Sequence, residues 1–144
     1  MRLLSSFARA SLLLAGALTP VNAQPASTGP VGLKLTPVLE TVTTFTGQPI
    51  RFPQADNQFT AVIADVAPGG QVGRHMHSVP LFVYMLEGTL SIEINGHGTH
   101  AFSAGESFAE VIHTWHNGRN LTHKPVRFLI VFAGQKSTPN LIRP

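Results

Sequence analysis

The stretch Leu81-Phe-Val-Tyr-Met-Leu-Glu-Gly-Thr-Leu-Ser-Ile-Glu-Ile-Asn-Gly96 decides the fold class of this chain. Its first six residues are an apolar run with aromatic and β-branched side chains, of strand rather than helix length. A second short run follows over 89–95, and Asn95-Gly96 is the best hairpin signal in the sequence. The pattern continues outward, with candidate strands at 41–45, 59–66, 106–111 and 126–133. Turn signals fall between them at Gly47-Gln-Pro49, Pro68-Gly-Gly70 and Asn117-Gly118. The runs 81–86 and 126–132 are apolar on both faces, as expected of strands covered on both sides. No long segment repeats apolar residues at helical spacing, so an all-β single domain is expected.

The ends of the chain read differently. Residues 1–23 carry Arg2 and Arg9, then the apolar run 10–18, the break Thr19-Pro20 and the small-residue exit Val21-Asn22-Ala23. That is the layout of a secretory signal peptide cut after Ala23, and the run is too short to span a bilayer. The expected product is secreted, or periplasmic in a Gram-negative source, with no membrane insertion after cleavage. Residues 24–32 lack periodicity and read as a flexible arm. The chain has 144 residues and no cysteine, so neither a lipid anchor at the cut nor disulfides are available. Its net charge of +3 shrinks to +1 without Arg2 and Arg9, leaving eight basic residues against seven acidic ones. No basic cluster survives, which argues against nucleic-acid binding.

Chemistry concentrates in the histidines. All seven lie between positions 75 and 123. Neutral imidazole is a common metal ligand, and His75-Met-His77 on a strand points both rings to one side. A third histidine from a neighbouring strand completes a facial site with open positions for substrate. On the 106–111 segment, Phe108 and Glu110 share a face. A carboxylate there is either at the sheet surface or aimed into something that compensates its burial.

In register, Gly69-x5-His75-x-His77 with Gly88, and Gly105-x10-His116-x3-Asn120, resemble the two motifs of the cupin family, G-x5-H-x-H-x3,4-E-x6-G and G-x5-P-x-G-x2-H-x3-N. Leu81 stands at the Glu position, and Val111 and His113 replace the Pro and Gly. The remaining seven fixed positions agree, with 16 residues between the motifs. The resemblance implies a single-domain barrel of the double-stranded β-helix, jelly-roll-like kind over 33–135, followed by a C-terminal tail at 136–144. It also implies that His75, His77 and His116 hold a divalent metal, with Fe, Mn, Ni and Zn not distinguished. Family members acting on thiols lack the same Glu and work with three histidines. Glu110 either replaces the missing carboxylate, as ligand or nearby acid, or is a solvent-facing or structurally paired residue. An empty barrel that has lost its metal is the bland alternative, though decay would have eroded the histidines too.

Around this set, His113 is placed at the barrel mouth as a candidate general acid or base, with an exposed turn residue as the alternative. His97, His100 and His123 read as solvated, Tyr84 as packing, and Trp115 and Phe108 as walls of an apolar pocket. Asn120 ties down the turn after His116, which leaves the Asn120-Leu-Thr122 sequon without a glycosylation role. Arg74, Arg119 and Arg127 are the cations near enough to fix a polar substrate. By resemblance the chain is a metal-dependent dioxygenase or lyase acting on a small organic molecule; the alternative is a non-catalytic periplasmic module binding metal or a small ligand. The 33–52 segment offers a surface for a homodimer. N-terminal sequencing of the exported protein is expected to begin at Gln24, and a start far from it overturns the leader assignment.

Overall fold

The computed structural model describes residues 32–144. The expected leader and the arm before Gly32 lie outside the described residues. Seven strands follow one another: β1 (Asn57–Val66), β2 (Leu81–Glu87), β3 (Thr89–Ile94), β4 (Gly98–Ser103), β5 (Ser107–Ala109), β6 (His116–Arg119) and β7 (Val126–Gln135). They pair only antiparallel, in a four-stranded sheet ordered β1-β7-β2-β5 and a three-stranded sheet ordered β4-β3-β6. This is the expected all-β, jelly-roll-like barrel.

Its interior follows from strand alternation. Leu81, Val83 and Met85 of β2 face Phe128 and Phe132 of β7 and Leu90, Ile92 and Ile94 of β3, all buried. Burying each such side chain contributes roughly 1.5–3 kcal/mol. Near one end, Phe102 and Phe108 stack at 3.8 Å between ring centres and Phe45 meets both edge-on, so Phe108 belongs to the packing between the sheets. Tyr84 is on the outer, half-buried face of β2, opposite Leu129.

Several expectations need correction. The 41–45 run is not a strand: Thr44 Oγ1 accepts a hydrogen bond from Gln48 N, and the chain turns through Gly47, leaving one bridge between Thr43 and Pro49. Asn117-Gly118 is not a turn but the middle of β6, paired with Glu93 and Ile92. The hairpin at Asn95-Gly96 is present, and its second arm is β4, a strand that Thr99, Ala101 and Ser103 make look like a loop in sequence. His100 is therefore a strand residue, half-buried with its ring edge-on to Phe45, whereas His97 and His123 are exposed as expected. The outer faces of β2 and β7 are only partly covered, by residues such as Leu39, Ile50 and Phe52.

The motif glycines mark chain reversals. Gly69, Gly88 and Gly105 all have positive φ, of 71°, 72° and 88°. Gly88 is further constrained, because a Cβ there would overlap the carbonyl oxygen of Pro125. At Gly105 the same atom would meet open space. Gly105→Ala is expected to cost about 1–2 kcal/mol of stability from its backbone alone. Gly88→Ala adds a steric clash and should cost about 3 kcal/mol or more in denaturant titration. Equal losses at the two positions would refute the close approach at Gly88.

Candidate metal centre

The site is built by register. His75 and His116 oppose each other across an antiparallel bridge, and each donates its N–H to the other's carbonyl at 2.9 Å. Residues paired in this way put their side chains on one face, and His77, two positions on, joins them. The three rings pack with centres 4.2 to 5.0 Å apart, and their ligating nitrogens lie within 4.8 Å of one another. All three residues are buried, with Phe132 against His77 at 5.5 Å.

Each ring is also oriented. Nδ1 of His75 meets Gly73 O at 2.7 Å, Nδ1 of His116 meets Thr114 O at 2.9 Å, and Nδ1 of His77 meets Asn140 O at 3.0 Å. A carbonyl only accepts, so each Nδ1 carries the proton and, in the neutral ring, each Nε2 presents a lone pair. That is the arrangement by which outer hydrogen bonds prepare histidines for a metal.

Glu110 completes the cluster. Its backbone N–H bonds Leu81 O, continuing the β2–β5 ladder that pairs Phe82 with Ala109, so Glu110 lies opposite Leu81. A carboxylate therefore stands directly across the ladder from Leu81. Its oxygens lie 3.2 Å from His116 Nε2 and 3.6 Å from His77 Nε2. His116 Nε2 nonetheless has no hydrogen-bond partner among the described residues: in the neutral ring it presents a lone pair, and a carboxylate oxygen only accepts. A buried nitrogen left without a partner beside a carboxylate, with two more Nε2 atoms near it, fits a divalent cation of the nitrogen- and oxygen-preferring kind.

The electrostatics agree. Burial opposes ionisation of Glu110, but the His116 and His77 rings outweigh it and hold the carboxyl well below the usual carboxylate range. Burial likewise works against a charged His116, yet Glu110 raises its pKa above the ordinary value. Burial dominates at His75, aided by the other two imidazoles, and lowers it to about 4 despite the bond to Gly73 O.

The flanking residues separate into site and scaffold. His113 is exposed, adopts a positive φ of 53° at the position of the motif's Gly, and donates its N–H to His77 O at 2.8 Å. It lines a cavity of about 240 Å³ with Gln48, Pro49, Arg51, Ser78, Pro80 and Ile112. Arg51, which pairs with no acid among the described residues, is the cation there. Arg74 instead lies over Trp115 at 5.4 Å, and Arg127 pairs with Asp65 at 3.4 Å, so Trp115 and these arginines are not walls of that cavity. A larger cavity of about 390 Å³ lies against β1 and β7 and carries no titratable group. Three contributors were not apparent in the sequence: Arg51, Asn140, and Gln48, whose amide bonds both N and O of Ile112 like a surrogate strand. Their only signals are contacts across more than sixty residues. Asn120 is fully buried and bonds Val66 O, Lys124 O, Thr122 N and Thr122 Oγ1, so it does tie the turn and has no room for a glycan.

Comparison with known proteins agrees with this geometry. A family model described as a cupin domain matches residues 62–132, from within β1 to within β7 and across the whole histidine cluster, and the chain belongs to the cupin family. Among solved structures it is similar to a sugar phosphate isomerase from a cupin superfamily of Silicibacter pomeroyi, at 29% identity and TM-score 0.48, over 53% of this chain and 50% of that one. It is also similar to an oxalate decarboxylase of Lactobacillus farciminis in complex with formate, at 26% identity and TM-score 0.51, over 58% of this chain and 26% of that one. A Bacillus subtilis oxalate decarboxylase examined for its Mn(II) centres shares the fold at 20% identity and TM-score 0.51, over 58% and 23%. The matched part is thus about half of the isomerase and about a quarter of each decarboxylase. No curated protein matches the sequence.

His75 gives this site a pH signature with chelator present. Its pKa is about 4 when folded against 6.5 for an ordinary histidine, so below pH 6.5 the unfolded chain takes up a proton that the folded one refuses. Its contribution to stability therefore falls as the pH drops from 6.5 towards 4. The raised His116 acts with opposite sign, stabilising below 6.5 and losing that contribution as the pH rises through its own higher value. His75→Gln should flatten the loss of stability between pH 7 and 5; an unchanged slope contradicts the assignment.

Proposed function

We propose that this chain is an exported metal-dependent cupin enzyme of the lyase or dioxygenase type, acting on a small organic molecule. The observation that carries the reading is the convergence of three Nε2 atoms and an ionised carboxylate in a buried interior. In this reading His75, His77 and His116 hold the metal through Nε2. A bound divalent metal supplies Lewis-acid polarisation, water activation or redox chemistry there. Glu110, ionised, either adds a fourth donor or accepts a proton in passing beside the reacting group, since its oxygens reach two of the three rings. His113 stands at the rim of the small cavity as the general acid or base, and Arg51 across it offers a charge for a polar substrate group. The strained backbone at His113, in a place where glycine is unstrained, supports a role for its side chain. The decarboxylase of Lactobacillus farciminis supports the lyase form of the reading. The second reading, a non-catalytic module that binds metal or a small ligand, draws on the scarcity of charged groups lining that cavity.

Metal analysis of the purified protein should find a bound divalent ion that His75→Ala and His116→Ala lose. Wild type holding no more metal than these variants ends the metalloenzyme reading. Glu110→Gln should weaken metal affinity about 10–100-fold if the carboxylate is a ligand or fixes one; unchanged affinity and activity return it to a structural role. Oxygen consumption by Fe(II)-loaded protein over a panel of small acids separates the dioxygenase from the lyase, which turns over without oxygen. Tight metal binding with no turnover of any panel member favours the binding module.

A further inference from the structure

Two of the three histidines are oriented from their own strands. Nδ1 of His75 and of His116 each bond the carbonyl two residues earlier, at Gly73 and Thr114. His77 is oriented differently: the carbonyl two residues before it, that of His75, faces His116 and accepts its N–H. Its Nδ1 reaches instead to the carbonyl of Asn140, at 3.0 Å and 63 positions along the chain.

The segment that brings this carbonyl is fastened on both sides of His77. Met76 and Ile142 exchange backbone hydrogen bonds of 3.0 and 2.9 Å, forming an antiparallel bridge on the edge of the His75–His77 segment away from His116. Ser78 Oγ donates to Pro139 O, and Arg143 Nη1 donates to Val72 O at 3.2 Å. The Asn140 side chain lies against β7, where a Cβ at Gly134 would come within 2.6 Å of Asn140 Oδ1. Glycine at 134 thus lets the segment lie close enough for its carbonyl to meet the ring.

We infer that residues 139–143 are a positioning clamp for His77, so that docking of the C-terminal segment and occupancy of the metal site are thermodynamically coupled. With the clamp released, His77 loses the acceptor that fixes its tautomer and orientation, and two imidazoles remain oriented. Coupling of this kind is reciprocal: a metal that needs Nε2 of His77 stabilises the docked segment. The inference rests on the metal reading above for its functional meaning, while the positioning of His77 has its own readout.

The test uses the full chain and Co(II) as probe. Ile142→Pro removes the N–H that Met76 O accepts, and Ser78→Ala removes one side-chain fastening with little disturbance. Ile142→Pro should weaken Co(II) binding about 10–100-fold, with a smaller loss in Ser78→Ala and none in Ile142→Val. Phe102→Leu, in the aromatic cluster outside the site, controls for lost stability and should leave Co(II) affinity unchanged. Nitrogen-15 NMR of the His77 ring in metal-free protein should show the Nδ1-protonated tautomer in wild type and a mixture in Ile142→Pro. Unchanged affinity and tautomer in both clamp variants overturn the inference, as does an equal loss in Phe102→Leu. If wild type binds no metal while the tautomer still responds to Ile142→Pro, the metal reading falls and the positioning of His77 stands.

Discussion

The reciprocal hydrogen-bonded pair of His75 and His116 is the contact on which the rest of the structure converges. It lays the His-x-His segment against β6, and the two-residue period of extended chain then puts His77 on the same face. Packing has to let those backbones approach. Gly118 in β6 provides the space, since a Cβ there would come within 3.2 Å of Val72. Beyond β6, Asn120 closes the turn with four hydrogen bonds and fixes where the strand ends. On the other edge, Ile142 completes the ladder through Met76.

The arrangement is electrostatically demanding without a cation. Three ring nitrogens with their lone pairs inward, and a carboxylate held ionised, face one another behind Phe132 in a barrel lined mostly by aliphatic side chains. Hydrogen bonds at Nδ1 prevent the rings from turning away. A proton on His116 relieves part of the repulsion through Glu110, and a divalent ion relieves it more fully. The position of Glu110 bears on the departure from the cupin pattern at Leu81. The two residues are opposite one another across the extended β2–β5 ladder and are both buried, so a carboxylate at position 110 lies beside the cluster.

Much of the fold was legible because it depends on local pattern. The short apolar runs became β1, β2, β3, β5 and β7 within a few residues, and the motif glycines fell at positive φ. The errors have physical causes. Residues 41–45 have strand composition, but the Thr44 side chain captures its own turn. Asn117-Gly118 has turn composition, but β3 supplies a ladder that only tertiary pairing can offer. The stacking of Arg74 over Trp115 and the ion pair of Arg127 with Asp65 likewise depended on neighbours that sequence spacing does not specify.

The sequence by itself determined the kind of domain and which imidazoles could meet, because strand periodicity and motif register are properties of the chain alone. Only the tertiary structure decided that Glu110 stands opposite Leu81, that Arg51 and His113 line one cavity, and that Asn140 orients His77. Each of those relations joins residues distant along the chain, and their distances are set by sheet pairing and packing.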